Sequence, residues 1–210
     1  MRRLTTVKPP VYRVRYDLAS GNFFHDILGI KAFKIPMNSM APTLSPGDHI
    51  VVNLKYFKNN EPQKGDVIVF KYPEDPNRIF VKSVIAVGGD VIELKDKIVY
   101  LNGQPIEEQY VHHLDNSIMP CGKQSVGKIR AGGLLSEALG VVYEVTKCEH
   151  PRDNFGPNKV PPFKIFVLGD NRDRSYDSRY WGYVDRREIE GKALYIYWSN
   201  SKDRIGTETE

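Results

Sequence analysis

Three short stretches carry residue types that could do chemistry. In IPMNSMAPTLSPGDHIVV, Ile35 to Val52, Ser39 sits between an asparagine and a methionine, ahead of a proline turn and a strand. A serine hydroxyl is a weak nucleophile at its free pKa and needs a neighbouring base, and a loop serine more often serves turn chemistry. In RIFVKSVIAVGGD, Arg78 to Asp90, a strand of period two puts Lys82 on a face with Phe80 and Val84, opposite Ile79, Val81 and Ser83. A lone ammonium in such surroundings either snorkels to solvent from an edge strand or stays buried. Burial lowers a lysine pKa by up to ~3–5 units, leaving an amine able to take a proton from a serine. The third stretch, LGDNRDRSYDSRYWGYV, Leu168 to Val184, is dense in Asp and Arg. It reads either as a solvated loop with weak surface pairs or as a rigid loop whose charged pairs fix short polar side chains.

Histidine is the commoner base for a serine, and the chain has five. His25 lies in the leader, His49 opens a strand just past Ser39, and His112, His113 and His150 fall in a polar stretch. None stands at the end of a core strand where a triad would be expected. Adjacent His112 and His113 would point to opposite sides of a strand, so neither a metal site nor a cofactor is expected. Cys121 and Cys148 enclose a glycine-rich middle, GKIRAGG, without a CxxC neighbour. They suit either one disulfide of an oxidising compartment or two buried thiols, and not zinc.

Past residue 45 the apolar residues come in short runs rich in β-branched and aromatic types: HIVVN (49–53), DVIVF (66–70), RIFVKSVIAV (78–87), KIVYL (97–101), VVYEVT (141–146), KIFVL (164–168) and ALYIYW (193–198). Turn residues, among them SPGD, QKGD, VGGD, NG and FGPN, separate them, so the fold expected is mainly β and antiparallel, a sheet or coiled β-barrel. Asn102-Gly103 should form a tight hairpin turn from KIVYL into QPIEE. GGLLSEALG (132–140) is the best helical candidate. The divisions expected are a basic leader with a short amphipathic segment at 1–34, a catalytic β core at 35–90 plus 163–199, an inserted irregular β cap subdomain at 91–162, and a polar tail at 200–210 that should fray.

A chain of 210 residues with 40 % hydrophobic side chains can bury a real core. Its net charge of +4 is spread along the sequence, which argues against a nucleic-acid partner. Arg2, Arg3, Lys8, Arg13 and Arg15 suit either an anionic lipid surface or a solvated leader. In NFFHDILGIKAF, Phe23, Phe24, Ile27, Leu28 and Lys31 fall at helical spacing, far short of the ~20 apolar residues of a bilayer span. No transmembrane helix and no signal peptide is expected in the chain as given.

In order and spacing, SMAPTL, GDVIVF, FVKSVIAVGGD and GDNRDRSYDSRYWGYV together resemble the conserved boxes of the bacterial type I signal peptidases, serine and lysine peptidases of the secretory pathway. The resemblance covers about 33–90 and 163–198. It implies Ser39 as nucleophile, Lys82 as general base, and Ser175 as the hydroxyl that orients the lysine. Asp177 and Arg179 would hold the loop that Asp170 begins, and Ile35, Pro36 and Met40 would border the substrate groove. It also implies signal peptides of preproteins as substrates, cut after small residues of Ala-X-Ala type. The expected location is the outer, periplasmic side of the cytoplasmic membrane, for a chain separated from its usual anchor. Phe33, Tyr180, Trp181 and Trp198 are candidates for a lipid-facing surface or for ordinary packing.

The sequence departs from that pattern at two places. Met37 stands where many relatives place a serine that donates to the oxyanion, leaving the backbone N–H of Ser39 and the amide of Asn38. Ser83 stands where many carry an arginine paired with the acidic residue of the GD box, so Arg172 becomes the expected partner of Asp170. The alternatives are a maturation peptidase of a conjugative transfer system and a non-catalytic peptide-binding β module.

Overall fold

The structure is a computed structural model and describes residues 29–130 and 140–209. Its strands, numbered in chain order, are β1 (Ile30–Lys34), β2 (His49–Asn53), β3 (Val67–Tyr72), β4 (Asp75–Val87), β5 (Val91–Lys95), β6 (Ile98–Leu101), β7 (Gln104–Pro105), β8 (Gln124–Arg130), β9 (Val142–Cys148), β10 (Phe155–Lys159), β11 (Lys164–Leu168), β12 (Val184–Asp185) and β13 (Ile189–Trp198). Two single-turn helices, α1 (Tyr56–Asn59) and α2 (Ser178–Trp181), complete the regular structure with three short 3₁₀ turns.

The expected mainly β, antiparallel architecture is present. Seven strands make one sheet in the order β1-β2-β13-β3-β4-β11-β12, four make a second in the order β10-β5-β6-β7, and β8 pairs with β9 alone. The hydrogen bonds of the large sheet run from β1 to β12 without closing a ring. Period-two patterning explains how this sheet is buried on both faces. Val67 and Val69 pack with Ile35, Met40 and Leu44 on one side, and Ile68 and Phe70 pack with Val84 and Val167 on the other. Ile85, Phe166 and Leu168 from the large sheet join Ile92, Leu94 and Phe155 of the second in a further core, which fixes the smaller sheet against the larger.

Three expectations change. Helical spacing was read through Lys31, but Ile30–Lys34 is strand β1, zipped to β2 from Ile30↔Asn53 to Lys34↔His49. Cross-strand pairing overrides a weak helical signal in so short a segment. FGPN, read as a turn, lies inside β10, which takes a register shift between Phe155 and Asn158 at the edge of its sheet, where a proline is tolerated. The tail does not fray. Gly206 N donates to Ile196 O and Thr209 Oγ1 to Ala193 O, and Thr209 is buried, so residues 201–209 fold back along β13. The Asn102-Gly103 turn forms as expected, with φ of 53° and 80°, the two positive values a type I′ turn needs. The basic leader and residues 132–139 of the helical candidate lie outside the described residues.

Cys121 and Cys148 form a disulfide with a sequence separation of 27, stapling the base of the β8–β9 hairpin. A lone two-stranded hairpin is marginal, and a loop of this size gains ~3–4 kcal/mol from the cross-link in the chain-entropy model. Reduction, or a Cys121→Ala/Cys148→Ala pair, should therefore open Lys123, Lys128 and Lys147 to trypsin while the large sheet stays protected in hydrogen exchange. Cleavage there at the oxidised protein's rate would show that the hairpin holds without its staple.

Candidate active site

Ser39 rides on a loop closed at its base by Ile35 N donating to Asp48 O and Gly47 N to Ile35 O, each at 2.8 Å. Met40 and Leu44 plug this loop into the core, so Ser39, between exposed Asn38 and buried Met40, stays half-buried on its outer side. Asn171 grips the same segment: its side-chain amide donates to Asn38 O at 3.0 Å and its N–H to Ser39 O at 3.2 Å. Among the described residues no acceptor takes the Ser39 N–H, which is free to serve an oxyanion. Met37 is 57 % exposed and offers no donor.

Lys82 is 4 % exposed, and its Nζ donates to Ser39 Oγ at 2.7 Å. Two features of the sheet make this possible. Strand β4 pairs with β3 along Phe80, Val81 and Lys82, but on its other side β11 reaches only as far as Ser83, opposite Leu168. Lys82 therefore lies just beyond the end of β11, where the chain turns into the Asp- and Arg-rich loop. Burial lowers its pKa to about 8, against the charges of Asp177 and Asp170, which raise it, and with that of Arg179, which lowers it further.

The loop is rigid. Asp177 is fully buried and accepts from Arg179 Nε and Nη2 at 2.8 Å and from Gly169 N at 3.1 Å. Burial alone would raise the Asp177 carboxyl, but the Arg179 guanidinium and the Gly169 N–H hold it below the usual range. Arg179 in turn donates to the carbonyls of Arg172 at 2.7 Å and Arg152 at 2.5 Å. Gly169 is obligatory for packing, because a Cβ there would collide with Ser175 Oγ and Ser39 O.

Two expected contacts differ. Asp170 takes Ser83 Oγ at 2.7 Å, whereas Arg172 turns away to a buried ion pair with Glu108 at 2.8 Å and to Gly169 O. The Ser83 hydroxyl is neutral and supplies no counter-charge, so burial pushes the Asp170 carboxyl up to about 6 despite that hydrogen bond. Ser175 is buried beside this network, but its Oγ has no aligned hydrogen-bond partner, so the bond expected to Lys82 is not formed. The amine of Lys82 is directed at Ser39 instead.

Sequence reasoning passed over several residues here. Asn171 lay inside a quoted motif and was marked by its side-chain amide. Glu108, Lys97 and Asp153 carried no local signal. Lys97 Nζ bridges Asp153 at 3.1 Å and Asp173 at 2.7 Å, and His112 N donates to Asp170 O at 2.9 Å, so Lys97, His112 and Asp153 buttress the loop from outside. Histidine serves elsewhere: His49 meets Tyr197 and Trp198, and His113 lies 3.6 Å from Asp173. Of the candidate lipid-facing aromatics, Tyr180 and Trp198 are over 40 % exposed, but Trp181 packs on Phe70 and Tyr72.

A serine hydroxyl held against a desolvated amine, in a mainly β scaffold, has the makings of a hydrolase that uses covalent catalysis. Comparison with known proteins points to a peptidase. The family model described as signal peptidase, peptidase S26, matches residues 20–198, and this chain belongs to that family. It is 37 % identical over 195 residues to a signal peptidase I of Aquifex aeolicus, covering 80 % of this chain and 76 % of that one. To a signal peptidase I of Pseudomonas fluorescens it is 34 % identical, covering 81 % and 65 %. A solved signal peptidase I from Enterococcus faecalis overlaps 63 % of this chain and 97 % of its own at 29 % identity, with a TM-score of 0.41. Among the described residues no helix is long and apolar enough to cross a membrane.

Proposed function

We propose that this chain is a serine endopeptidase that removes N-terminal signal peptides from exported preproteins after small residues, with Ser39 as nucleophile and Lys82 as general base. The observation that carries the reading is the buried Lys82 amine 2.7 Å from the Ser39 hydroxyl. Neutral Lys82 takes the Ser39 proton as Oγ attacks the scissile carbonyl, and the lysine then gives that proton to the leaving amine. A water deprotonated by the same amine hydrolyses the acyl-enzyme. The Ser39 N–H, with the side-chain amide of Asn38, meets the oxyanion that Met37 cannot serve. Strand β4 from Asp75 to Lys82 is paired on one side only, so an extended substrate can add there as a strand, with Ile35, Pro36 and Met40 bordering its groove.

The site of action we infer is the outer face of the cytoplasmic membrane, at the lipid surface. The disulfide suits an oxidising compartment, and exposed Tyr180 and Trp198 suit an interface. The test is cleavage of a purified preprotein with an Ala-X-Ala site, in detergent or lipid, with the new N-terminus read by mass spectrometry. A single cut after the small residue, lost in Ser39→Ala, is expected. An intact preprotein with folded wild type would instead point to a peptide-binding module or a specialised maturation peptidase.

A further inference from the structure

The loop that carries Ser39 is held by a residue outside the family's matched segment, 20–198. Arg204 ends a 3₁₀ turn (Lys202–Arg204) and reaches back across the molecule. Its Nη1 donates to Pro42 O at 3.0 Å and its Nη2 to Thr43 O at 2.9 Å, two successive carbonyls of the turn between Ser39 and Leu44. The same guanidinium lies on Asp48, with Nη2 at 2.7 Å and Nε at 3.1 Å from Oδ2. Asp48, 1 % exposed, also accepts from Ser45 N at 2.8 Å and Ser199 Oγ at 2.7 Å. A planar fork with five donors can satisfy a carboxylate and two carbonyls together, which an ammonium cannot do in this geometry.

Arg204 is itself anchored. Its turn is followed by Gly206 N donating to Ile196 O, Thr207 O accepting from Ile196 N, and Thr209 N donating to Leu194 O, all along β13. Ser39 therefore stands between two clamps. Asn171 holds the carbonyls of Asn38 and Ser39 from the loop after β11, and Arg204 holds those of Pro42 and Thr43 from the far side. Nothing else among the described residues donates to the Pro42 or Thr43 carbonyl.

We propose that Arg204 is a positioning residue for the nucleophile. It fixes the Ser39–Leu44 turn through the Pro42 and Thr43 carbonyls, so that Ser39 Oγ stays within hydrogen-bond reach of Lys82, and it touches no substrate. The inference rests on Ser39 being the nucleophile. Arg204's side chain is 23 % exposed, so water can enter where it stood, but Asp48 is buried and loses its counter-charge, so Arg204→Ala should cost stability as well as rate. A nucleophile misplaced by ~1 Å can cost ~10²-fold in rate.

The experiment follows acylation of Ser39 by an activated-ester probe, whose acyl group passes to the serine oxygen as the alcohol leaves, and cleavage of a signal-peptide substrate in wild type, Ser39→Ala, Arg204→Ala, Arg204→Lys and Lys202→Ala. Arg204→Ala is expected to lose ~10–100-fold in kcat and in acylation rate, measured well below its thermal midpoint where the variant is fully folded, with KM moving far less. Arg204→Lys should fall between, ethylguanidinium should restore part of the Arg204→Ala rate, and exposed Lys202→Ala should match wild type. Acylation of Arg204→Ala at the wild-type rate overturns the inference alone. So does a loss that tracks the near-ultraviolet circular dichroism and that ethylguanidinium does not rescue, since Arg204 would then only support the fold. Absence of Ser39-dependent acylation in wild type overturns the peptidase reading itself, and this inference with it.

Discussion

Lys82→Met is expected to be inactive yet more stable than the wild-type protein. Removing a general base costs ~10²–10⁴-fold in rate. On the proposed mechanism Ser39 and Lys82 act as a unit, so adding Ser39→Ala should cost little more. Stability moves the other way, because wild type must bury an amine. The folded pKa of about 8 lies below the ordinary lysine value of 10.5, so at neutral pH, where both states carry the proton, the folded state bears the full desolvation cost. The difference amounts to on the order of 3 kcal/mol, a large share of a typical domain's stability. Between pH 8 and 10.5 the folded state has released a proton that the unfolded chain still holds, so wild-type stability from this group rises with pH and the advantage of Lys82→Met shrinks. Urea unfolding of both proteins from pH 7 to 10.5 measures this directly. The cleavage rate of wild type should climb through an inflection near the same pH of about 8. A variant no more stable at pH 7, with a gap that ignores pH, would mean that the Lys82 charge reaches water.

Asp177→Ala should be the most damaging single change to the fold. It leaves the Arg179 guanidinium, 4 % exposed, without its carboxylate, and it strips the acceptor from Gly169 N. Breaking one side of a buried pair costs ~3–5 kcal/mol, because the remaining charge is uncompensated. Asp177→Ala/Arg179→Met should recover part of that loss, which a double-mutant cycle by urea denaturation would measure. The pH dependence has the opposite sign to that of Lys82. With the folded carboxyl held below the ordinary aspartate value of 3.8, its contribution is fully present above that value and is lost as pH falls beneath it. An Asp177→Ala protein that unfolds at the wild-type urea midpoint would show that Arg179 finds a new acceptor in place.

Much of the large sheet was legible locally. The strands HIVVN and KIFVL coincide with β2 and β11, because a buried period-two run has few alternatives once turn residues bound it. Strands β5, β8 and β10 were missed, since VIELK, QSVGKIR and FGPNK are partly exposed, and charge or turn residues mask their pairing. Arg172 was assigned to Asp170 by nearness in sequence, and the fold brought Glu108 closer. The tail read as fraying because its composition is polar, yet backbone hydrogen bonds to β13 and the Arg204–Asp48 pair hold it.

The sequence by itself determined the antiparallel β class and the place of the Asn102-Gly103 turn, because side-chain period and backbone preference act within a few residues. Ser39, Lys82, Asp177 and Arg179 stood out only through the resemblance of four separated stretches to a family, since their local pattern suits a turn serine, a snorkelling lysine and a solvated loop equally well. Only the tertiary structure decided that Cys121 and Cys148 are joined, that Asp170 pairs with Ser83, and that Lys82 is buried against Ser39 instead of snorkelling to water. Those outcomes depend on which distant segments close on one another. A lysine on a two-faced apolar strand has the same local pattern in either case, and where β11 ends beside β4 determines how much water its amine can reach.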